Sequence, residues 1–203
     1  MHDLFGQTPA LGPLPIPDAE ILHLGRPALP LSSGDLLATL IAQTPWRADT
    51  ITLWGKAYLQ PRLTAWYGDP DKRYTYSGLT LQPLPWTPLL LDVKHAVEAA
   101  AGATFDSVLL NYYRNESDSM GFHADDEPEL GLDPVIASLS LGAARDFVLK
   151  HKRRKDIKPV RIPLEDGTLI VMRGRTQANW LHGIEKRKTP LGPRVNLTFR
   201  TIR

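Results

Sequence analysis

The chain has 203 residues, of which 42% are hydrophobic and 23% charged, with 15 glycines, 18 prolines, no cysteine and a formal net charge of +2. This composition is typical of one soluble globular domain, and a chain of this length buries roughly 70% of its unfolded surface, so its core needs no metal or disulfide. The lack of cysteine excludes disulfides, cysteine-ligated metal centres and thiol nucleophiles, which leaves His, Asp and Glu as metal ligands.

The small net charge hides two unlike parts of the sequence. Residues 1–144 carry 8 Lys and Arg against 17 Asp and Glu, whereas residues 145–203 carry 16 against 5. A basic segment of this kind favours polyanions such as nucleic acids. The sequence opens without a signal-like segment and has no apolar run near the roughly 18 residues of a membrane span. We therefore expect a cytoplasmic protein without a membrane partner.

The first part of the chain predicts an extended arm followed by two helices. Residues 1–30 hold 6 of the 18 prolines, and we treat them as a proline-rich arm before a single domain at 31–203. A cap motif at Ser32 precedes apolar residues at helical spacing, and Pro45 ends that pattern. A second helix is predicted over residues 87–101, with Gly102 as its stop signal.

From Thr104 onward the pattern changes to short segments of period two, which indicate strands. The predicted strands cover residues 107–113, 135–141, 146–150, 160–162, 168–172 and 194–200. Turn-rich separators between them favour a β-sandwich or barrel over alternating βαβ units, and no internal repeat or second domain is evident. The sequence therefore predicts a mainly β fold of the α+β class.

A candidate metal site begins at His123-Ala124-Asp125. In an extended segment the His and Asp side chains project to the same side. The pair alone also fits a solvated strand end, but His182 lies 59 residues further on, after another strand-like run. Two imidazoles and one carboxylate on one side of an ion are the ligand set of non-haem Fe(II) oxygenases.

The last predicted strand has one polar face. Period two places Arg194, Asn196, Thr198 and Arg200 on that face and the apolar residues on the other. The polar face fits a solvated surface, or else a cradle for a dicarboxylate, because a guanidinium group binds a carboxylate through two parallel hydrogen bonds.

Together these segments resemble the AlkB-type Fe(II)/2-oxoglutarate-dependent dioxygenases, which repair alkylated nucleic-acid bases, and most of all the branch active on duplex DNA. The resemblance runs in order over about three quarters of the chain. The matching stretches are Leu53-Trp54-Gly55-Lys56, Pro61-Arg62, Tyr67-Gly68-Asp69, Tyr74-Thr75-Tyr76-Ser77-Gly78, Asn111-Tyr112-Tyr113, His123 to Glu127, Ala137 to Gly142, Arg145-Asp146-Phe147 and Arg194 to Arg200. Tyr112 and Ala124 depart from the family pattern, which leaves substrate preference open.

The resemblance implies a double-stranded β-helix, or jelly roll, over about 104–203, with N-terminal helices and a nucleotide-recognition lid over about 46–80. It implies Fe(II) held by His123, Asp125 and His182, with 2-oxoglutarate and O2 as co-substrates. The 2-oxoglutarate pocket would comprise Asn111, Tyr113, Arg194, Asn196, Thr198 and Arg200. Such an enzyme decarboxylates 2-oxoglutarate, hydroxylates the methyl group of 1-methyladenine or 3-methylcytosine, and releases formaldehyde.

The resemblance also implies a set of substrate contacts. Trp54 would be a wedge that enters a duplex, Tyr76 would stack on the damaged base, Tyr74 would contact its surroundings, and Arg62 would lie at the rim. Asp126 or Glu127, with Asp126 preferred, would attract the positive charge of the alkylated base. Phosphate contacts would come from Lys150, Lys152, Arg153 and Arg154. Core packing for the aromatic residues and solvated turns for the charged ones are the structural alternatives.

The sequence therefore predicts a monomeric DNA demethylase that acts on alkylated bases. An RNA demethylase of the same mechanism is an alternative. A protein hydroxylase leaves the basic run unexplained. A nucleic-acid-binding relative without turnover is the third alternative, and the complete set of metal ligands argues against it.

Overall fold

The computed structural model describes residues 11–48, 50–53, 56–72, 74–76 and 79–203, without the side chains of residues 51–58 and 73–81. The strands are β1 (Gly12–Pro13), β2 (Glu20–Gly25), β3 (Thr50–Leu53), β4 (Lys56–Leu59), β5 (Leu63–Gly68), β6 (Tyr74–Tyr76), β7 (Leu79–Leu81), β8 (Ser107–Tyr113), β9 (Met120–His123), β10 (Ile136–Gly142), β11 (Arg145–His151), β12 (Val160–Leu164), β13 (Leu169–Arg173), β14 (Trp180–Ile184) and β15 (Arg194–Arg200). The helices are α1 (Ser33–Gln43), α2 (Pro88–Ala101) and the short α3 (Thr176–Asn179), and a 3-10 turn covers Pro128–Leu130.

Two antiparallel sheets face each other and form the core of a mostly β, jelly-roll fold. The larger sheet has seven strands in the order β1-β2-β13-β10-β15-β8-β5, and the smaller has four in the order β12-β11-β14-β9. Apolar side chains of both sheets, among them Ile170 of β13 and Phe147 of β11, share one buried cluster. The expectation of a mainly β fold with antiparallel sheets is confirmed.

Alternation along each strand decides which side chains reach the space between the sheets. Val195, Leu197 and Phe199 of β15 pack in a buried cluster with residues of α1 and α2 on the outer face of the larger sheet. The alternate residues of β15 face the smaller sheet and line a cavity there. One strand therefore supplies both a wall of the core and a wall of the cavity.

Helices α1 and α2 begin and end where the sequence signals predict. The Ser32 hydroxyl accepts a hydrogen bond of 3.1 Å from the backbone N–H of Asp35, and the Thr87 hydroxyl accepts one of 3.2 Å from Leu90. Each such cap stabilises a helix by about 1 kcal/mol. Gly102 ends α2 with φ 64°, a left-handed conformation that strains any residue with a Cβ atom.

The six strands predicted from sequence patterns correspond to β8, β10, β11, β12, β13 and β15, whereas the other nine strands of the described part of the chain were not delimited. Strand β2 lies inside the proline-rich segment and pairs with β13, and its Ile21 is buried between the sheets. The short strands β9 and β14 were not delimited beforehand, although both carry metal-site histidines. Within the described part of the chain, no helix has both the length and the apolar character needed to cross a bilayer.

Candidate active site

Three side chains converge on neighbouring strands of the smaller sheet. His123 ends β9, His182 lies opposite it in β14, and Asp125 follows β9 after one residue. Ligand atoms of the three lie within 4.8 Å of one another. Nε2 of His123 is 3.7 Å from Oδ1 of Asp125, and Nε2 of His182 is 3.8 Å from Oδ2. The pairing of two short strands thus brings together ligands that are far apart in sequence.

Hydrogen bonding leaves lone pairs of this triad available to a metal. Nδ1 of His123 lies 3.0 Å from the carbonyl oxygen of Gly121, which can only accept, so Nδ1 carries the proton and Nε2 presents its lone pair. Nε2 of His123 and Oδ2 of Asp125 are buried and have no hydrogen-bond partner among the described residues. Two imidazoles and a carboxylate with buried, unpaired acceptors fit a divalent cation such as Fe(II).

Charges around the triad hold it in the protonation state that a metal requires. Burial by itself raises the pKa of Asp125, but attraction to Arg200 above all, and to the two histidines, lowers this pKa to about 2. Burial, reinforced by repulsion from His123, lowers the pKa of His182 to about 3. Near neutral pH the site therefore offers an ionised carboxylate and a neutral His182 imidazole.

A cavity adjoins the triad between the two sheets. Five residues predicted to bind 2-oxoglutarate line it together with the metal ligands, namely Tyr113, Arg194, Asn196, Thr198 and Arg200. Apolar side chains complete the lining, including Met120, Phe147 and Met172. The sixth predicted residue, Asn111, does not line this cavity in the described structure, and its Oδ1 accepts a hydrogen bond of 2.7 Å from Nε of Arg62.

Arg194 is a buried cation without a carboxylate partner among the described residues. It is 2% exposed, and its Nη2 donates a hydrogen bond of 2.9 Å to the Ser140 hydroxyl. Its guanidinium lies 5.0 Å from the centroid of the Tyr113 ring, whereas its Nε and Nη1 have no hydrogen-bond partner in the described part of the chain. Burial lowers the pKa of Arg194. A carboxylate bound here would satisfy both the charge and the donors, and 2-oxoglutarate carries two carboxylates.

The rest of the polar face of β15 forms hydrogen bonds within the protein. Nη2 of Arg200 donates a bond of 2.8 Å to Oδ1 of Asp125. Nδ2 of Asn196 donates to the Ser138 hydroxyl at 2.8 Å, and the Thr198 hydroxyl donates to Oδ1 of Asn196 at 2.9 Å. These bonds fix the cavity wall and orient the metal carboxylate. Ser138 was not among the predicted site residues, although its alternation with apolar residues of β10 was a usable signal.

Arg62 does not lie at the rim of the site, where it was expected. It is 6% exposed and bonded to Asn111 of β8. The position after Pro61 is typical of a surface turn, but Arg62 directly precedes β5, and β5 pairs with β8. Arg62 therefore supports a polar residue of the larger sheet.

The two carboxylates after the metal ligand differ in environment. The side chain of Asp126 is 60% exposed, and its Oδ2 accepts a hydrogen bond of 2.9 Å from Nζ of Lys152. Glu127 is half-buried, and its Oε2 is buried without a hydrogen-bond partner among the described residues. Glu127 is thus the less solvated of the two carboxylates, and attraction between charges is stronger where less water surrounds them.

The basic run lies at the end of β11 and in the connection to β12. Lys150 Nζ is 3.6 Å from the centroid of the Phe122 ring, and Lys152 Nζ contacts both Asp126 and the Gln177 carbonyl. Arg154 forms ion pairs with Asp18 and Asp156 at 3.2 and 2.8 Å. Arg153 is exposed, and none of its side-chain atoms forms an ion pair with a described residue. Arg153 is therefore the best placed of the four for an external anion.

The aromatic residues expected in the lid are described only in part. Trp54 lies outside the described residues. Tyr74 and Tyr76 stand two apart in β6 and pair with Leu81 and Leu79 of β7, so their backbones form one hairpin. The side chains of Tyr74 and Tyr76 are not among those that the structure describes.

Comparison with known proteins agrees with this geometry. Residues 27–200 match the 2OG-Fe(II) oxygenase superfamily. The chain is 46% identical over 175 residues to human alpha-ketoglutarate-dependent dioxygenase alkB homolog 3, covering 82% of this chain and 60% of the relative. It is 45% identical over 158 residues to human DNA oxidative demethylase ALKBH2, covering 75% of this chain and 60% of the relative.

The chain thus spans about 60% of the length of these curated relatives. A solved structure, OsALKBH1, shares the fold with a TM-score of 0.60 at 22% identity, covering 93% of this chain and 100% of that one. The family match covers most of the chain and includes His123, Asp125 and His182, the three residues whose geometry fits a metal ion. The chain belongs to the 2OG-Fe(II) oxygenase superfamily and has the dioxygenase cofactors of that family, Fe(II), 2-oxoglutarate and O2.

Proposed function

We propose that the chain is an oxidative demethylase of alkylated DNA, with 1-methyladenine and 3-methylcytosine as substrate bases. The observation that carries the proposal is the 45% identity over 158 residues to a relative named as a DNA oxidative demethylase. When bound, Fe(II), 2-oxoglutarate and O2 supply an oxidation that hydroxylates the N-methyl group as 2-oxoglutarate becomes succinate and CO2. The hydroxymethyl group then leaves as formaldehyde.

Within this proposal the interior residues bind and orient the reactants. His123, Asp125 and His182 hold the metal, and Arg200 keeps the carboxylate of Asp125 oriented. Arg194 binds the far carboxylate of 2-oxoglutarate through its unpaired donors. Tyr113, Asn196 and Thr198 form the wall of that pocket, and Asn111, held by Arg62, lies opposite Asn196 on the neighbouring strand β8. The apolar lining excludes water from the reaction.

Recognition of the base is assigned to Glu127 and to the lid. A base methylated at N1 of adenine or N3 of cytosine is cationic, and a half-buried carboxylate beside the metal loop attracts it more than the neutral base. The base must leave the stack to reach a site between two sheets. We assign the lid to residues 46–80, which include the separate hairpins β3–β4 and β6–β7. Trp54 is the wedge and Tyr76 the stacking residue, with Tyr74 beside it.

Phosphate binding is assigned to the basic run of Lys150, Lys152, Arg153 and Arg154, with Arg153 as its main contact. All metal ligands and the whole cavity lining come from one chain, so a monomer suffices for the reaction. The relative's name specifies DNA, which favours DNA over RNA as the substrate.

The test is an incubation of the purified chain with Fe(II), 2-oxoglutarate, ascorbate and an oligonucleotide that bears one 3-methylcytosine. Single-stranded DNA, duplex DNA and RNA of matched sequence are compared, and intact mass reports loss of the methyl group. We expect methyl loss from DNA that requires 2-oxoglutarate and disappears in His123→Ala. Loss from RNA alone would replace the proposal with an RNA demethylase. Loss from none of them would contradict it.

The same assay tests the wedge. Trp54→Ala is expected to lower duplex repair several-fold more than single-strand repair, because only the duplex must be opened. Equal losses on the two substrates would contradict a wedge role for Trp54.

A further inference from the structure

Gln177 connects α3 to the backbone of a metal ligand. It is 2% exposed, and its Oε1 accepts a hydrogen bond of 3.0 Å from the backbone N–H of Asp125. Its Nε2 lies 3.4 Å from Sδ of Met172, so the side-chain amide is held at both ends. Arg200 fixes the carboxylate of Asp125 and Gln177 fixes its main chain. No sequence motif signals this contact, because the two residues are 52 positions apart.

Helix α3 is itself fastened to the N-terminal segment 17–20. The contacts are Thr176 Oγ1 with the Glu20 N–H at 2.9 Å, Asn179 Nδ2 with the Asp18 carbonyl at 3.0 Å, and Trp180 Nε1 with the Pro17 carbonyl at 3.0 Å. They engage the helix near its start and at its end. A four-residue helix has little stability of its own, so these tertiary bonds, together with the flanking strands β13 and β14, hold Gln177 in place.

We propose that residues 17–20 form a brace that positions Asp125 for the metal, acting through α3 and Gln177. The brace precedes the family match, which begins at residue 27, and it gives this part of the proline-rich segment a role in the active site. Gln177 is a positioning residue, since it acts on the metal through Asp125. Mutation of an outer hydrogen-bond partner of a metal ligand typically lowers metal affinity by about 10- to 100-fold. The proposal concerns the metal site and does not depend on which substrate is oxidised.

Binding of Mn(II) alone tests the brace without turnover. Free Mn(II) is measured by electron paramagnetic resonance during titration of the full chain and of Gln177→Leu, which has a similar volume and no acceptor. We expect the affinity of Gln177→Leu for Mn(II) to fall about tenfold. Gln177→Glu keeps an acceptor oxygen at the same position and is expected to stay within about threefold of the parent.

Two further variants separate positioning from general stability. Thr176→Val removes the hydroxyl that binds Glu20 and leaves Asp125 untouched, so a weaker affinity for Mn(II) is expected. Ser32→Ala removes the cap of α1 and is expected to lower the melting temperature with parental Mn(II) affinity. Parental affinity in both Gln177→Leu and Thr176→Val would overturn the brace, as would an equal loss in Ser32→Ala. If Gln177→Leu does not fold, the brace is tested by comparing the Mn(II) affinity of Thr176→Val with that of Ser32→Ala.

Discussion

Arg200 and Asp125 join the last strand to the metal site: Nη2 of Arg200 donates a hydrogen bond of 2.8 Å to Oδ1 of Asp125, and both side chains are buried. The other oxygen, Oδ2, remains 3.8 Å from Nε2 of His182 and faces the metal position. One oxygen of the carboxylate is thus used for orientation and the other is left for coordination.

The hydrogen bond from Arg200 to Asp125 is expected to support metal binding. Arg200→Met removes the donor and leaves the buried carboxylate unpaired, so we expect the affinity for Mn(II) to fall by about tenfold or more. Arg200→Lys keeps the positive charge but has a compact ammonium group in place of the planar guanidinium, so an intermediate affinity for Mn(II) is expected. Titration of Mn(II) against each variant measures this. If Arg200→Met binds like the parent, the hydrogen bond does not orient Asp125.

Arg194 is expected to lower the stability of the ligand-free protein, although it is the residue assigned to bind 2-oxoglutarate. Its buried Nε and Nη1 have no hydrogen-bond partner among the described residues, and burying a charge without a partner is unfavourable. Arg194→Met should therefore melt at or above the parental temperature, and Mn(II) should still stabilise it through the intact triad, but 2-oxoglutarate should add nothing beyond Mn(II) alone. Thermal melts without ligand, with Mn(II) alone and with Mn(II) plus 2-oxoglutarate measure this. Persistent stabilisation of the variant by 2-oxoglutarate would disprove the assignment.

Glu127 and Asp126 offer a matched pair of tests. Glu127→Gln removes the half-buried charge, and we expect kcat/KM for 3-methylcytosine to fall about tenfold, equivalent to roughly 1.4 kcal/mol. Asp126→Asn alters an exposed carboxylate already bonded to Lys152, so a change within about threefold is expected. Steady-state rates on one oligonucleotide give both values. The reverse ranking would restore Asp126 as the residue that attracts the cationic base.

The basic run predicts unequal contributions to nucleic-acid binding. Arg153 is exposed and is expected to contact one phosphate. Arg153→Ala should therefore make the fall of the logarithm of the binding constant with the logarithm of salt concentration less steep, by about 0.7 for a single strand. Arg154 pairs with Asp18 and Asp156, and Arg154→Ala should change that slope less. Fluorescence anisotropy at several salt concentrations measures both slopes. Equal slopes for the two variants would show that the ion pairs of Arg154 open on binding.

The chemistry of the site could be predicted from the sequence where local spacing encodes it. The alternation in β15 already separates Arg194 and Arg200 from their apolar neighbours, because a strand fixes its side-chain period. The His123 and Asp125 pair is equally local, and His182 was the third candidate ligand because it follows another strand-like run. The structure brings these three side chains together as expected.

The features that sequence reasoning missed depend on tertiary contacts. Gln177 has no local signal, because its partner Asp125 is brought near only by folding. Arg62 was expected at the rim from the family resemblance, whereas in the structure it is buried against Asn111, next to the pairing of β5 with β8. Burial likewise distinguishes Glu127 from Asp126, two adjacent acids that a sequence alone treats as equivalent.

The stoichiometry of the products shows whether 2-oxoglutarate turnover is coupled to demethylation. Succinate and formaldehyde are measured together while the purified chain acts on DNA with one 3-methylcytosine and on the same DNA without the lesion. A coupled demethylase predicts equal amounts of both products from the lesion-bearing strand and little of either from the control. Succinate formed at the same rate on both strands without formaldehyde, or no succinate on either, would contradict the account.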